Sequence, residues 1–131
     1  AQWIAGATID RGGGISETIS DAIETFQWVV DPDGNPSTMF DVPDVCSNSW
    51  GVTDVHGVPA CDNQLWSFID AMEAAGVVVV FAAGNEGPTS STIRRPADRN
   101  TTAFTTLAVG AVEIQHWFVW KIPVHLHQQA V

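Results

Sequence analysis

The sequence predicts an α/β fold built on a partial, doubly wound parallel sheet of about four strands and two helices, and three observations carry that reading. Residues 77–83, Val-Val-Val-Val-Phe-Ala-Ala, are apolar without alternation, the pattern of a strand buried on both faces with helices above and below. Two stretches with apolar residues at helical spacing lie between the strand candidates. The order that results, β-α-β-α-β-loop-β, is that of strands joined by right-handed crossovers.

The first strand candidate is the short apolar run at residues 3–9, ended by Arg11-Gly12-Gly13-Gly14. A helix follows, with Ser16 as N-cap, Glu17 and Asp21 in its first turns, and Ile15, Ile19, Ile23, Phe26 and Val30 along one stripe. Asp31-Pro32-Asp33-Gly34-Asn35-Pro36 stops it, because Pro and Gly continue a helix only at a cost. A second strand is expected over 44–50. After the 51–61 loop comes a second helix with Asp62 as N-cap, a stripe of Leu65, Ile69 and Met72 joined by Trp66, and Gly76 as the residue just past its end. The strand at 77–83 and a fourth at 105–112 complete the set.

With 131 residues and 45% hydrophobic content the chain is one domain with material for a core. Acids outnumber bases 15 to 5, a net charge of −10, which argues against a nucleic acid partner, since phosphate binding needs clustered Lys and Arg. The one basic cluster, Arg94, Arg95 and Arg99, reads as a solvated loop. No apolar run reaches the roughly 18 residues of a membrane helix, and the start has no signal-peptide pattern. Cys46 and Cys61 match no metal-site spacing; they are either a disulfide, which would close a loop worth roughly 3 kcal/mol, or two independent buried thiols.

All 15 acids lie at or before Glu113, and residues 114–131 hold none. The chain therefore divides at 113 into a folded part, 1–113, and an atypical tail, 114–131, expected to be poorly structured or foreign in origin, as from a frameshift. The tail's His125 and His127 would share one strand face, but with no carboxylate or Cys beside them a metal tract is the weaker reading.

Two segments carry chemistry. Ala82-Ala83-Gly84-Asn85-Glu86-Gly87-Pro88 directly follows the buried strand, and in parallel α/β sheets ligand sites form at the C-terminal strand ends. A carboxamide held there can donate to an oxyanion that develops in a transition state; the plain alternative is an Asn in a Gly-flanked turn. Ser47-Asn48-Ser49-Trp50-Gly51 likewise ends a strand and can offer its backbone to an extended peptide. Trp50 is either a pocket wall or, as is commoner for Trp, a core aromatic.

Taken together, Asp44-Val45 through Ser49-Trp50-Gly51, a helix ending Ala74-Ala75-Gly76, the 77–83 strand, Gly84-Asn85-Glu86-Gly87, and Leu107-Ala108-Val109-Gly110-Ala111-Val112 stand in the order and spacing of the subtilisin-like serine proteases. The chain resembles an internal piece of that family's catalytic domain, over residues 1 to about 113. The resemblance implies a three-layer α/β/α fold and a secreted serine endopeptidase acting on peptide or protein substrates. It implies that Asn85 is the oxyanion donor and that Ser49, Trp50, Gly51, Ala82, Ala83 and Gly84 flank the S1 pocket. It also implies a cis bond at Arg95-Pro96.

The departures matter as much. The family's nucleophile, base and orienting acid sit in Gly-Thr-Ser-Met-Ala-x-Pro, His-Gly-Thr-x-Val-Ala-Gly and Asp-Thr/Ser-Gly motifs, and none is present; His56 lies in an unrelated His-Gly-Val-Pro loop. The chain is therefore expected to be inactive alone, and the competing reading is a peptide-binding module derived from the same core. No cofactor is expected. Calcium is common in the family, but Asp31, Asp33 and Asn35 read better as a polar turn. Cut out of a wider sheet, the chain is expected to self-associate through uncovered edges and apolar surface.

Overall fold

A computed structural model describes residues 2–9, 13–99, 101 and 106–111; the tail at 114–131 lies outside the described residues. Helix α1 (Ile15–Val29) precedes strand β1 (Val45–Asn48), a 3-10 turn (Asp54–His56), helix α2 (Trp66–Ala74), strand β2 (Val78–Ala82) and strand β3 (Leu107–Val109). The sheet is parallel, in the order β1-β2-β3, so the α/β class stands.

The number of strands does not. Residues 3–9 join no strand among the described residues, and the sheet has three strands where four were expected. The segment instead runs past α1: the Thr25 hydroxyl donates to the Ala7 carbonyl at 3.4 Å, and a Cβ at Gly6 would clash with Thr25 Cγ2. Trp3 and Ile9 stay 85% and 61% exposed. Apolar composition makes a strand only where a ladder partner is in reach, since extended backbone left unpaired has no fold-specific stabilisation.

The helix starts also shift. The N-cap of α1 is Gly14 rather than Ser16, and the Glu17 side chain reaches back to accept the Gly14 N–H at 3.0 Å. That carboxylate supplies one half of a capping box and favours the positive helix end. Asp62 caps a turn instead of α2: its Oδ1 accepts the Gln64 N–H at 3.1 Å, and the helix proper begins after Leu65. The far end of α2 is as expected. Gly76 (φ +90°) donates to the Glu73 carbonyl and Val77 to the Met72 carbonyl, both at 3.0 Å, which is a Schellman closure.

Both helices pack on the same face of the sheet. Ala22, Phe26 and Val29 of α1, Leu65, Ile69 and Met72 at α2, and Val79 and Phe81 of β2 form one buried cluster. The α1 stripe is thus displaced by one position from Ile23 and Val30, which are only half-buried. The opposite sheet face carries Val45, Val78, Leu107 and Val109, each between 40% and 57% exposed. Among the described residues β2 is covered on one face, so the unbroken run of Val reports a strand without reporting a second helical layer.

Candidate functional site at the ends of β1 and β2

Strands β1 and β2 run side by side in register, Val45 with Val78 through Asn48 with Phe81. Because they are parallel, their C-terminal ends emerge together, and Ser49-Trp50-Gly51 leaves the sheet beside Ala82-Ala83-Gly84. Asn48, which the sequence reading passed over, staples the two. Its buried carboxamide donates to the Val80 carbonyl at 3.2 Å and to the Cys46 carbonyl at 3.4 Å. A buried amide that crosses two strands in this way fixes their relative position.

Trp50 answers the question left open by its residue type. Its ring lies edge-on to Phe81 at 5.7 Å and stacks on Phe26 at 6.1 Å, so it closes the end of the core. Its outer side borders a cavity of about 930 Å³ that also touches Ser49 and the open edge of β1. Ser49 is exposed and Gly51 half-buried.

On the β2 side, Gly84 turns the chain with φ +107°, a conformation open to residues without a Cβ. Asn85 follows, exposed, with its backbone N–H bonded to Glu86 Oε2 at 3.0 Å. Among the described residues its carboxamide makes no hydrogen bond, so both side-chain N–H groups can donate outward.

The returning loop binds the two segments together. Val52 and Arg95 form an antiparallel bridge, N–H to carbonyl at 2.9 and 3.0 Å in the two directions, and the Arg94 N–H donates to the Ala83 carbonyl at 2.9 Å. The Arg95-Pro96 bond is cis, as the resemblance implied, and so is Gly87-Pro88. The arginines are paired with carboxylates rather than left as a free charge cluster, and Arg99 is buried. Arg94 grips Glu86 through Nε, 2.9 Å from both carboxylate oxygens, and through Nη2. Arg95 pairs with Asp54 at 2.8 Å and Asp98 at 3.7 Å. Arg99, 2% exposed, donates to Asp70, Glu73 and Thr106.

These partners set the local charges. The Arg94 hydrogen bonds hold the Glu86 carboxyl down at about 2, with the Asn85 N–H adding to the effect and desolvation opposing it. Burial pushes the Cys46 thiol up against a smaller opposing pull from Asn48, which leaves it protonated and a poor nucleophile. Cys46 and Cys61 are both free thiols, Cys46 half-buried and Cys61 exposed. His56, the one described histidine, caps its own turn: Nδ1 accepts the Thr53 N–H at 3.1 Å.

The polar loop after α1 spends its carboxylates on turns. Asp33 Oδ1 accepts the Asn35 N–H at 2.8 Å and Asp41 Oδ2 accepts the Asp33 N–H at 3.1 Å. Among the described residues no group of three or more His, Cys, Asp or Glu side chains is placed to hold a metal ion.

The family model described as the Subtilase family matches residues 4–117. The chain belongs to the subtilase family. Subtilases are serine-type peptidases, hydrolases of the peptide bond. No curated protein matches the chain. No helix among the described residues is long and apolar enough to cross a membrane.

Proposed function

We propose that this subtilase chain supplies the substrate groove of a serine endopeptidase, with Asn85 as oxyanion donor and with Ser49, Trp50, Gly51, Ala82, Ala83 and Gly84 flanking the side chain just before the scissile bond. The observation that carries this is the parallel pairing of β1 with β2, which brings both segments and Asn85 out at the same C-terminal end of the sheet. Peptide hydrolysis turns a planar carbonyl into a tetrahedral oxyanion, and a donor aimed at the new charge lowers the barrier more than it favours the substrate. The Asn85 backbone is already fixed by Glu86, so little reorganisation accompanies that donation. Trp50 contributes through its backbone and through the closure of the core beneath the groove, since its ring is engaged with Phe26 and Phe81.

The nucleophile, base and orienting acid come from residues other than these. His56 is committed to its turn, and no triad motif occurs in the sequence. Hydrolysis therefore needs the chain joined to triad-bearing segments, and alone it is inactive. Placement outside the cell follows the habit of the family. The alternative, a groove that holds peptides without cutting them, shares every residue named here and differs only in the triad.

A fluorophosphonate probe, which labels an activated serine, tests the reading. The chain alone should give no adduct; an adduct would overturn the assignment of the triad to other segments. In a protein joining this chain to the triad motifs, Asn85→Ala should lower kcat by roughly 10²–10³ with KM little changed, a figure taken over from subtilisin itself. An unchanged kcat would remove Asn85 from the chemistry, and a joined protein that binds peptides yet never labels would favour the non-cleaving alternative.

A further inference from the structure

The two segments that flank the groove converge on a single side chain. A Cβ at Gly51 would lie 2.7 Å from Arg94 Cβ and 3.1 Å from its Cδ. From the other side, a Cβ at Gly84 would lie 2.7 Å from Arg94 Cγ and 3.0 Å from its Cδ. Real Cβ atoms do not come this close to their neighbours, so the glycines at both positions make room for the Arg94 stem. That stem lies between Gly51 and Gly84, the last residues of the two flanking segments.

Arg94 is also held at both ends. Its N–H is bonded to the Ala83 carbonyl, and the next residue bridges to Val52. Its guanidinium is forked onto Glu86, whose Oε2 accepts the Asn85 N–H as well. One carboxylate thus fixes both the oxyanion residue and the side chain lying between the walls. The side chain of Arg94 remains 26% exposed, so it forms a surface that an incoming residue meets.

We propose that Arg94, locked by Glu86, is the floor of the subsite between these walls and restricts the groove to peptides with a small residue, Gly, Ala or Ser, just before the scissile bond. The inference rests on the groove reading above. A large apolar side chain could enter only by displacing Arg94 from a charge-assisted fork and two backbone-anchored neighbours, or by covering that ion pair without replacing its lost water contacts. A single Cβ, or a Cβ with a hydroxyl, leaves the fork intact. Exclusion by a built-in obstacle is a stronger source of discrimination than an extra methylene of contact.

The test titrates N-acetyl tetrapeptide amides, identical except for a last residue of Ala, Leu, Phe or Asp, into the ¹⁵N-labelled full chain, and follows the backbone amides. The Ala peptide should bind about tenfold or more tighter than the Phe peptide, with shifts at Ser49 to Gly51 and Ala82 to Asn85. Arg94→Gly should remove that preference, and Arg94→Lys, which keeps the stem, should retain it. If Arg94→Gly does not fold, the wild-type ranking and its persistence in Arg94→Lys still decide. Leu or Phe bound as tightly as Ala, Asp bound most tightly, or a ranking indifferent to Arg94→Gly would each overturn this inference and leave the groove standing. No binding by any peptide, or shifts confined elsewhere, would overturn both.

Discussion

Arg94 and Arg99 leave the same loop between β2 and β3 and meet different surroundings. The Arg99 side chain is 1% exposed and reaches the carboxylates of Asp70 and Glu73 on α2 and the Thr106 hydroxyl ahead of β3. The Arg94 side chain is 26% exposed and its partner Glu86 37%. Arg99 therefore ties helix, loop and strand together with its own guanidinium and most of Glu73 shielded from water, while Asp70 stays exposed and Arg94 and Glu86 shape a surface. A buried ion pair is costly to break because the abandoned partner stays desolvated, whereas water takes up the charges of an exposed pair. The same residue type in one loop should thus report stability at one position and recognition at the other.

Removal of Arg99 gives the largest expected effect. Arg99→Met leaves Glu73, only 14% exposed at its side chain, without its cation, and should destabilise the fold by about 3–5 kcal/mol. For a chain of this size that is a large share of the total stability, so a urea titration followed by circular dichroism should show the transition lost or moved far toward zero denaturant. Arg99→Lys keeps one charge but not the fork and should fall between the two. A loss no greater than that of Arg94→Met would erase the distinction between the two arginines.

Gly84→Ala comes next and probes the place where the loop meets the groove. The substitution forces a Cβ onto a residue with φ +107° and places it 2.6 Å from Glu86 Oε2 and 2.7 Å from Arg94 Cγ. Strain of this kind costs of order 1–3 kcal/mol. Gly76→Ala is the control: its φ is +90° but nothing lies within 4 Å of the added Cβ. Gly84→Ala should therefore be the more damaging of the two and should also disturb the Glu86 contacts, seen as a shifted Asn85 amide signal. Equal losses would mean that Arg94 and Glu86 give way freely and do not form a rigid floor.

The contrast between the arginines also marks what could be read from residues alone. Strand β2 and the turn after it were legible because their signal is local, an unbroken apolar run ended by Gly84-Asn85. So was the end of α2 at Gly76. The partners of the arginines are not local: Asp70 and Glu73 lie on a helix two elements earlier, and a charge cluster shows its burial only when such partners arrive. Residues 3–9 mislead for the same reason, since an apolar run does not say whether a ladder will be there to receive it. Trp50 was ambiguous until Phe26 and Phe81 were brought against it. Asn48 gave no signal at all, because its importance lies in the register of β1 on β2.

The smallest effect is the most specific test of the Glu86–Arg94 lock. Glu86 has its carboxyl held at about 2 in the folded chain against 4.5 for an unperturbed one. A depressed folded value means the pair contributes its stabilisation fully above 4.5 and loses it as pH falls toward 2. Because the pair is exposed, that contribution is small and is screened by salt, so a denaturation midpoint will hardly register it. The carboxyl ¹³C resonance of Glu86 will. Between pH 5 and 3 it should stay in its ionised position, and Arg94→Met should return its titration toward the ordinary carboxylate range. The Asn85 amide proton, bonded to the same carboxylate, should follow the Glu86 titration in both proteins. A wild-type midpoint already in the ordinary range would mean that the guanidinium does not stay on Glu86 in solution, and the floor of the groove would then be free to move aside for larger side chains.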